Sequence, residues 1–232
     1  MTGIDLAARA STQNVVSFDD GTAFGWYSSA VAVKFCPYLA AAEQGGLLYG
    51  HEHVLPDMDQ TWLEAEIFSL GVIHTEAFRR ARHRLGARER VLLCDNLVFV
   101  PAAGSASWDG RRLLAWPHWA LKFLYTGAGV MFGKFWAGEA SEARSGLPIP
   151  PPPCNFLSIR SAVKAKDPRF FTKAASLESE LLAASDHGQN VHASFTRVDP
   201  TDFSVELLRE SGYYDTVRER AERLVPNRRG QA

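Results

Sequence analysis

Cysteine is scarce in this sequence: Cys36, Cys94 and Cys154 stand far apart, without a C-x-x-C pair. That excludes a disulfide framework and a cysteine-built zinc site, and the thiols read as reduced in a cytoplasmic protein. Excess charge of one sign is lacking too. With 25 basic against 26 acidic residues and a net charge of -1, there is no long-range field to gather nucleic acid or an anionic membrane. No apolar run approaches the length of a membrane span. The opening MTGIDLAARASTQNVVSFDDG has no basic region followed by the continuous apolar stretch of a secretion signal. G-x-S-x-G, G-x-x-x-x-G-K-[ST] and H-E-x-x-H are all missing, as is any repeat of fixed period. A small-molecule substrate, or a second copy of the chain in a homodimer, remains as partner.

What is present points to a folded α+β protein. Apolar residues make up 46% of the 232, with six tryptophans and fourteen phenylalanines, enough for a sizeable core. Residues 1–22 are polar and aperiodic and read as an N-terminal arm, 23–225 as one α+β domain, and 226–232 as a basic tail. The clearest signal is one long amphipathic helix near 59–85. Leu63, Ile67, Leu70, His74, Phe78, Ala81 and Leu85 recur at helical spacing, Asp59 is placed to cap its start, arginines crowd its end and Gly86 stops it. A short helix follows Cys36-Pro37, LLYGHEHV and ERVLLCDNLVFV read as strands, and a helix from Trp116-Pro117 leads into a strand at GVMFGKFWAGE. The proline-rich EASEARSGLPIPPPP reads as a loop, with 148–153 extended as a lid or subunit contact. NFLSIRSAV is a strand or a short buried helix, KAASLESELLAAS a helix, QNVHASFTRV a strand by alternation, and the end one or two helices. Strands mixed irregularly with helices predict a mainly antiparallel sheet packed with helices.

Several residues carry chemistry. In GHEHVLPDMD a strand would put His51 and His53 on one face and Glu52 on the other, so both imidazoles could grip one metal ion, with Asp57, Asp59 or His74 completing it. Pro56, Asp57 and Asp59 are also explained as turn and cap residues. His74 occupies the apolar stripe of the long helix where leucine is expected. A ring there needs a hydrogen-bond partner or something to ligate, so metal ligand, haem ligand, general base and satisfied core histidine all remain open. His118 and Lys122 lie one turn apart among aromatics. Arg160, inside an apolar segment, must meet a carboxylate of the protein, a substrate or a cofactor. Gly127, Gly129 and Gly133 precede a strand instead of opening a helix, so they make no dinucleotide cradle.

Four segments, in order, resemble an uncharacterised bacterial domain family: Cys36-Pro37-Tyr38, Gly46-Leu47-Leu48, Gly129-Val130-Met131-Phe132-Gly133-Lys134-Phe135, and Leu157-Ser158-Ile159-Arg160. That family is distantly similar to the YqcI/YcgG-type proteins, which include haem-dependent enzymes that oxygenate nitrogen in amino-acid substrates. The resemblance implies a haem-dependent oxidising enzyme of specialised metabolism. Where the nearer family has histidine after the Gly-x-Phe strand and after Ile-Arg, this chain has Trp136 and Ser161. His74 would then ligate haem iron, Arg160 or Lys134 would pair a propionate, and Trp136 would line the ring, with His74 and His118 as catalytic candidates. A haem-free acid/base or divalent-metal enzyme built on His51, His53 and Asp57 is the alternative. A non-catalytic assembly protein is the third reading.

Overall fold

A long helix between two parallel strands organises the molecule. The computed structural model describes residues 22–105, 107–143, 145–163, 167 and 188–223. Most of the expected N-terminal arm, the KAASLESELLAAS helix and the basic tail lie outside them. Helices α1 (Ala23–Lys34) and α2 (Pro37–Gln44) precede strand β1 (Leu48–Leu55). Then come α3 (Gln60–Arg84), α4 (Ala87–Leu92) and β2 (Cys94–Pro101). Helices α5 (Gly110–Leu113) and α6 (Ala115–Tyr125) lead to β3 (Val130–Phe135), the short β4 (Ser141–Glu142) and β5 (Pro148–Ile149), and β6 (Asn155–Ser161). Two helices close the described chain, α7 (Val205–Glu210) and α8 (Tyr213–Arg223).

The fold is α+β, and its main sheet is mixed. In the order β1-β2-β6-β3, β1 and β2 run parallel while β6 is antiparallel to both its neighbours. The parallel pair requires a crossover, which α3 and α4 supply. Local chemistry fixes α3: Asp59 accepts from the Trp62 backbone N–H at 2.9 Å, and Arg82, His83 and Arg84 occupy its last turn, where the helix dipole favours cations.

Side-chain alternation gives the main sheet two faces, both covered over β2 and β6, while Glu52 and Val54 of β1 are exposed. On one, Leu55, Leu97, Phe99, Leu157, Ile159, Val130 and Phe132 pack with Ile67, Phe68 and Phe78 of α3 and Leu121 and Tyr125 of α6. On the other, Phe24 and Tyr27 of α1 cover Val98 and Phe156, while Ala42 of α2 meets Leu48 and Cys94. Helices α7 and α8 clamp α3 from outside. Arg209 pairs with Glu66 at 2.6 Å, and Tyr214 and Arg218 both bond Glu64 Oε2, at 2.7 and 3.0 Å. No helix among the described residues is long and apolar enough to cross a membrane.

Three expectations change. ERVLLCDNLVFV is not one strand: Gly86 N–H donates to Glu89 Oε2 at 3.0 Å, which starts α4, so the strand begins only at Cys94. Gly86 therefore opens a helix, and α3 ends at Arg84. QNVHASFTRV coils into turns, because Phe195 and Thr196 N–H both bond the His192 carbonyl, at 2.8 and 3.0 Å. His192 and Phe195, three residues apart and joined by that turn, both pack inward. The proline-rich loop carries a small hairpin, with Ser141 opposite Ile149 and Glu142 opposite Pro148. NFLSIRSAV resolves as a strand, β6.

Candidate metal centre

Two histidines of β1, one of α3 and one aspartate of β2 converge under the helical layer. His51 and His53 share a face of β1, as residues two apart on a strand must. His74 follows Leu70 by four residues and precedes Phe78 by four, so it lies on the buried stripe that α3 turns to the sheet. Asp95, beside Cys94 at the start of β2, faces the same way as Leu97 and Phe99. All four are buried, His51 and Asp95 to 3% exposure and His53 and His74 to 7%.

Asp95 sits between two imidazoles. Its Oδ2 accepts from His74 Nδ1 at 3.1 Å, and its Oδ1 lies 3.2 Å from His51 Nε2. The second approach is short but poorly aligned: neither His51 Nε2 nor Asp95 Oδ1 has a well-directed hydrogen bond, and His51 Nδ1 has no partner among the described residues. Polar atoms this deep are normally bonded, and leaving one unmet costs about 1–3 kcal/mol. The ligand atoms of His51, His74 and Asp95 all lie within 4.8 Å of one another. His53 adjoins that trio, with its ring 5.1 Å from His74 and stacked at 6.0 Å on Phe99.

The electrostatics follow from burial plus one carboxylate. For His53, burial acts first and the fields of His74 and His51 add to it, outweighing Asp95 and taking its pKa down to about 3. At His51 burial also pulls downward, but the close approach and negative charge of the Asp95 carboxylate win and raise the pKa. Burial works to raise Asp95, yet His74 and His51 hold it well below the usual carboxylate range. The arrangement thus offers a permanent carboxylate flanked by imidazole nitrogens, a donor set that suits a divalent ion.

The remaining sequence candidates are not gathered here. Asp57 is exposed in the turn after β1. Lys134 shares a cross-sheet row with His51 through Leu157 and Leu97, three strand spacings away, or roughly 14 Å. Its ammonium lies 5.8 Å from the Trp136 ring. His118 donates from Nε2 to the Phe132 carbonyl at 3.1 Å. Burial, helped by Lys122 and Lys134 and opposed by that carbonyl, lowers its pKa to about 4. Arg160 shares a row with Cys94 and so belongs to the opposite face of the sheet. It forms a two-pronged ion pair with Asp167, at 2.8 and 2.6 Å. The carboxylate demanded by a guanidinium in that apolar segment is therefore the protein's own.

Sequence reasoning missed Asp95. The available signal was a carboxylate between Cys94 and Asn96 in an otherwise apolar strand, which must be paired or ligating for the same reason as Arg160.

A second cluster around a buried histidine lies elsewhere. His192, fully buried, bonds Tyr213 Oη through Nδ1 at 2.6 Å, and its Nε2 lies 3.0 Å from Tyr125 Oη and 3.1 Å from Glu76 Oε1. Arg79 completes the network, bonding Glu76 at 2.7 Å and the Gln189 carbonyl at 2.6 Å. Comparison of the chain with protein-family models, curated proteins and solved structures finds no match.

Proposed function

We propose that this protein is a haem-free, divalent-metal-dependent enzyme acting on a small-molecule substrate, with the ion held by His51, His74 and Asp95. One observation carries the reading: three ligand-type atoms from three different elements lie within 4.8 Å of one another in the interior. Bonds of about 2.0–2.2 Å from an ion to nitrogen and oxygen put neighbouring ligands roughly 3.0–3.4 Å apart. The 3.1 and 3.2 Å separations around Asp95 match that edge. Binding would also give Asp95 Oδ1 and His51 Nε2 the directed partner that the polypeptide does not provide.

Two imidazoles and a carboxylate favour zinc, iron(II) or manganese over copper(I), which prefers sulfur. Three protein ligands leave at least one position on the ion for water or substrate. An ion so held polarises a bound oxygen and makes bound water a nucleophile near neutral pH. The protein's own part is to keep the trio rigid, with one ligand on each member of the β1–α3–β2 unit, and to exclude bulk solvent.

The haem reading has less support. A histidine bonded to a carboxylate through Nδ1 would suit an axial ligand. However, the His51 and His53 rings lie 4.6 and 5.1 Å from His74, space that a porphyrin face would need.

Equilibrium dialysis of chelator-treated protein against zinc, manganese and anaerobic iron(II) tests the proposal. It expects one ion per chain in the wild type and none in Asp95→Ala or in a His51→Ala/His74→Ala double variant. Full occupancy in those variants, or none in the wild type, would overturn it, and a Soret band in protein supplied with haem would restore the haem reading.

A further inference from the structure

We propose that β1 is a self-association edge: it pairs antiparallel with β1 of a second copy of this chain, about a two-fold axis at His51, and joins the two main sheets. The inference does not depend on the metal reading. It starts from a difference between the two outer strands of the sheet, β1 and β3. Cys94 N–H bonds the Leu47 carbonyl and Ala102 N–H the Leu55 carbonyl, each at 2.9 Å, so the odd-numbered residues of β1 turn their peptide groups toward β2. With a period of two, Leu48, Gly50, Glu52 and Val54 turn theirs outward. No strand lies beyond them among the described residues. In β3, Ala162 N–H takes the Gly129 carbonyl, so Phe132 and Lys134 turn outward. That edge is closed: His118 Nε2, from α6, donates to the Phe132 carbonyl at 3.1 Å, and the lysine stands beside it. A helix over the edge and an edge lysine are common protections against pairing. β1 has neither. It is eight residues long, keeps an unbroken register with β2, and meets a proline, Pro56, only past its end.

The strand's own sequence selects a second copy as the occupant. An antiparallel two-fold pairing can centre on any residue of the strand, and each choice fixes what lies opposite what. Centred on Glu52, it sets two carboxylates directly face to face. Centred on His53 or Val54, it puts Pro56, which has no N–H to donate, opposite Gly50 or Glu52. Centred on Tyr49 or Gly50, it carries Val54 past the strand, opposite Gln44 at the end of α2 or Gly46 just beyond it. Centred on His51, it uses the whole strand, with Leu48 of one copy opposite Val54 of the other and Gly50 opposite Glu52. Val54, which is 63% exposed in the single chain, then meets a leucine, and Glu52 faces a glycine that leaves it room. A net charge of -1 sets little repulsion between copies. The same register places the His51 of each copy beside the axis, so the two candidate metal centres become neighbours.

The test is the mass of the full chain in solution, by light scattering after gel filtration and by sedimentation equilibrium. The expected result is twice 25.6 kDa. Glu52→Pro removes an outward N–H that the ladder to β2 does not use, and Val54→Lys sets a charge opposite Leu48. Both are expected to abolish the dimer with far-UV circular dichroism unchanged, and Val54→Lys decides the matter if the proline variant does not fold. The register is read by cross-linking in a Cys36→Ser/Cys154→Ser background. Glu52→Cys lies diagonally across the axis from its own copy, roughly 7–8 Å away, and joins through a short bis-maleimide. Met58→Cys, also exposed but beyond the end of the strand, does not. A wild-type monomer overturns the proposal and leaves the edge to another protein or to solvent. A dimer that survives Val54→Lys overturns it too, because another surface then holds the copies together. Cross-linking from Met58→Cys but not from Glu52→Cys overturns the register.

Discussion

Two histidine clusters each take a residue from α3, His74 in one and Glu76 in the other, and they differ in whether the polypeptide satisfies them. Around His192 both ring nitrogens are bonded, to Tyr213 on one side and to Tyr125 and Glu76 on the other, and Arg79 neutralises the glutamate. Around Asp95 one imidazole is bonded, and the other comes within 3.2 Å without a directed bond, leaving buried lone pairs unmet. Burial is equally deep in both, so depth does not separate a structural network from a functional site. The unmet directions do, because an interior that was only structural would lose about 1–3 kcal/mol for each.

The largest effect expected from breaking this contrast is on metal affinity. Asp95→Ala lowers it more than about a hundredfold, because the sole anionic ligand is lost, whereas His192→Ala leaves it unchanged by calorimetric titration. Stability reverses the ranking. His192→Ala takes a partner from the Tyr213 and Tyr125 hydroxyls and from Glu76 and loosens residues 188–198, costing about 2–4 kcal/mol in denaturant unfolding, with or without metal. In the wild type, metal at a hundred times its dissociation constant adds about 2.7 kcal/mol, an increment that vanishes in Asp95→Ala.

The pH prediction concerns His118, outside both clusters. Its pKa is lowered from 6.5 to about 4 in the folded chain, so below pH 6.5 the unfolded chain takes up a proton that the folded one refuses. Stability therefore falls as pH drops from 6.5 toward 4, by on the order of 1–2 kcal/mol, and does not change on this account above 6.5. His118→Gln makes that slope shallower in thermal melts, the depressed pKa of His53 supplying a further part of it. The smallest effect on the metal site is that of Arg160→Met. It removes the arginine from the Asp167 carboxylate, which is only 7% exposed but also accepts from the Val163 N–H, so about 1–2 kcal/mol is lost and metal affinity does not move.

Part of this was legible in the sequence because it is local. Asp59 capping α3, the shared face of His51 and His53, and a histidine standing in an apolar stripe all follow from periods of 3.6 and 2. The partner of that histidine was not legible. Asp95 reaches it only because β1 and β2 pair in parallel across thirty-odd residues, and sequence patterning does not state which strands become neighbours. His192 was misplaced for a related reason: alternation over a short segment describes successive buried turns as well as a strand. Arg160 was correctly seen to need a carboxylate, but whether the protein or a ligand supplies it depended on where Asp167 folds.

The most direct measurement is X-ray absorption at the metal edge of the protein loaded with one equivalent of zinc. The account predicts two imidazoles and one carboxylate oxygen at about 2.0–2.1 Å plus a light exogenous atom, with the pattern lost in Asp95→Ala. A sulfur shell, or a spectrum unaltered by that substitution, would contradict it.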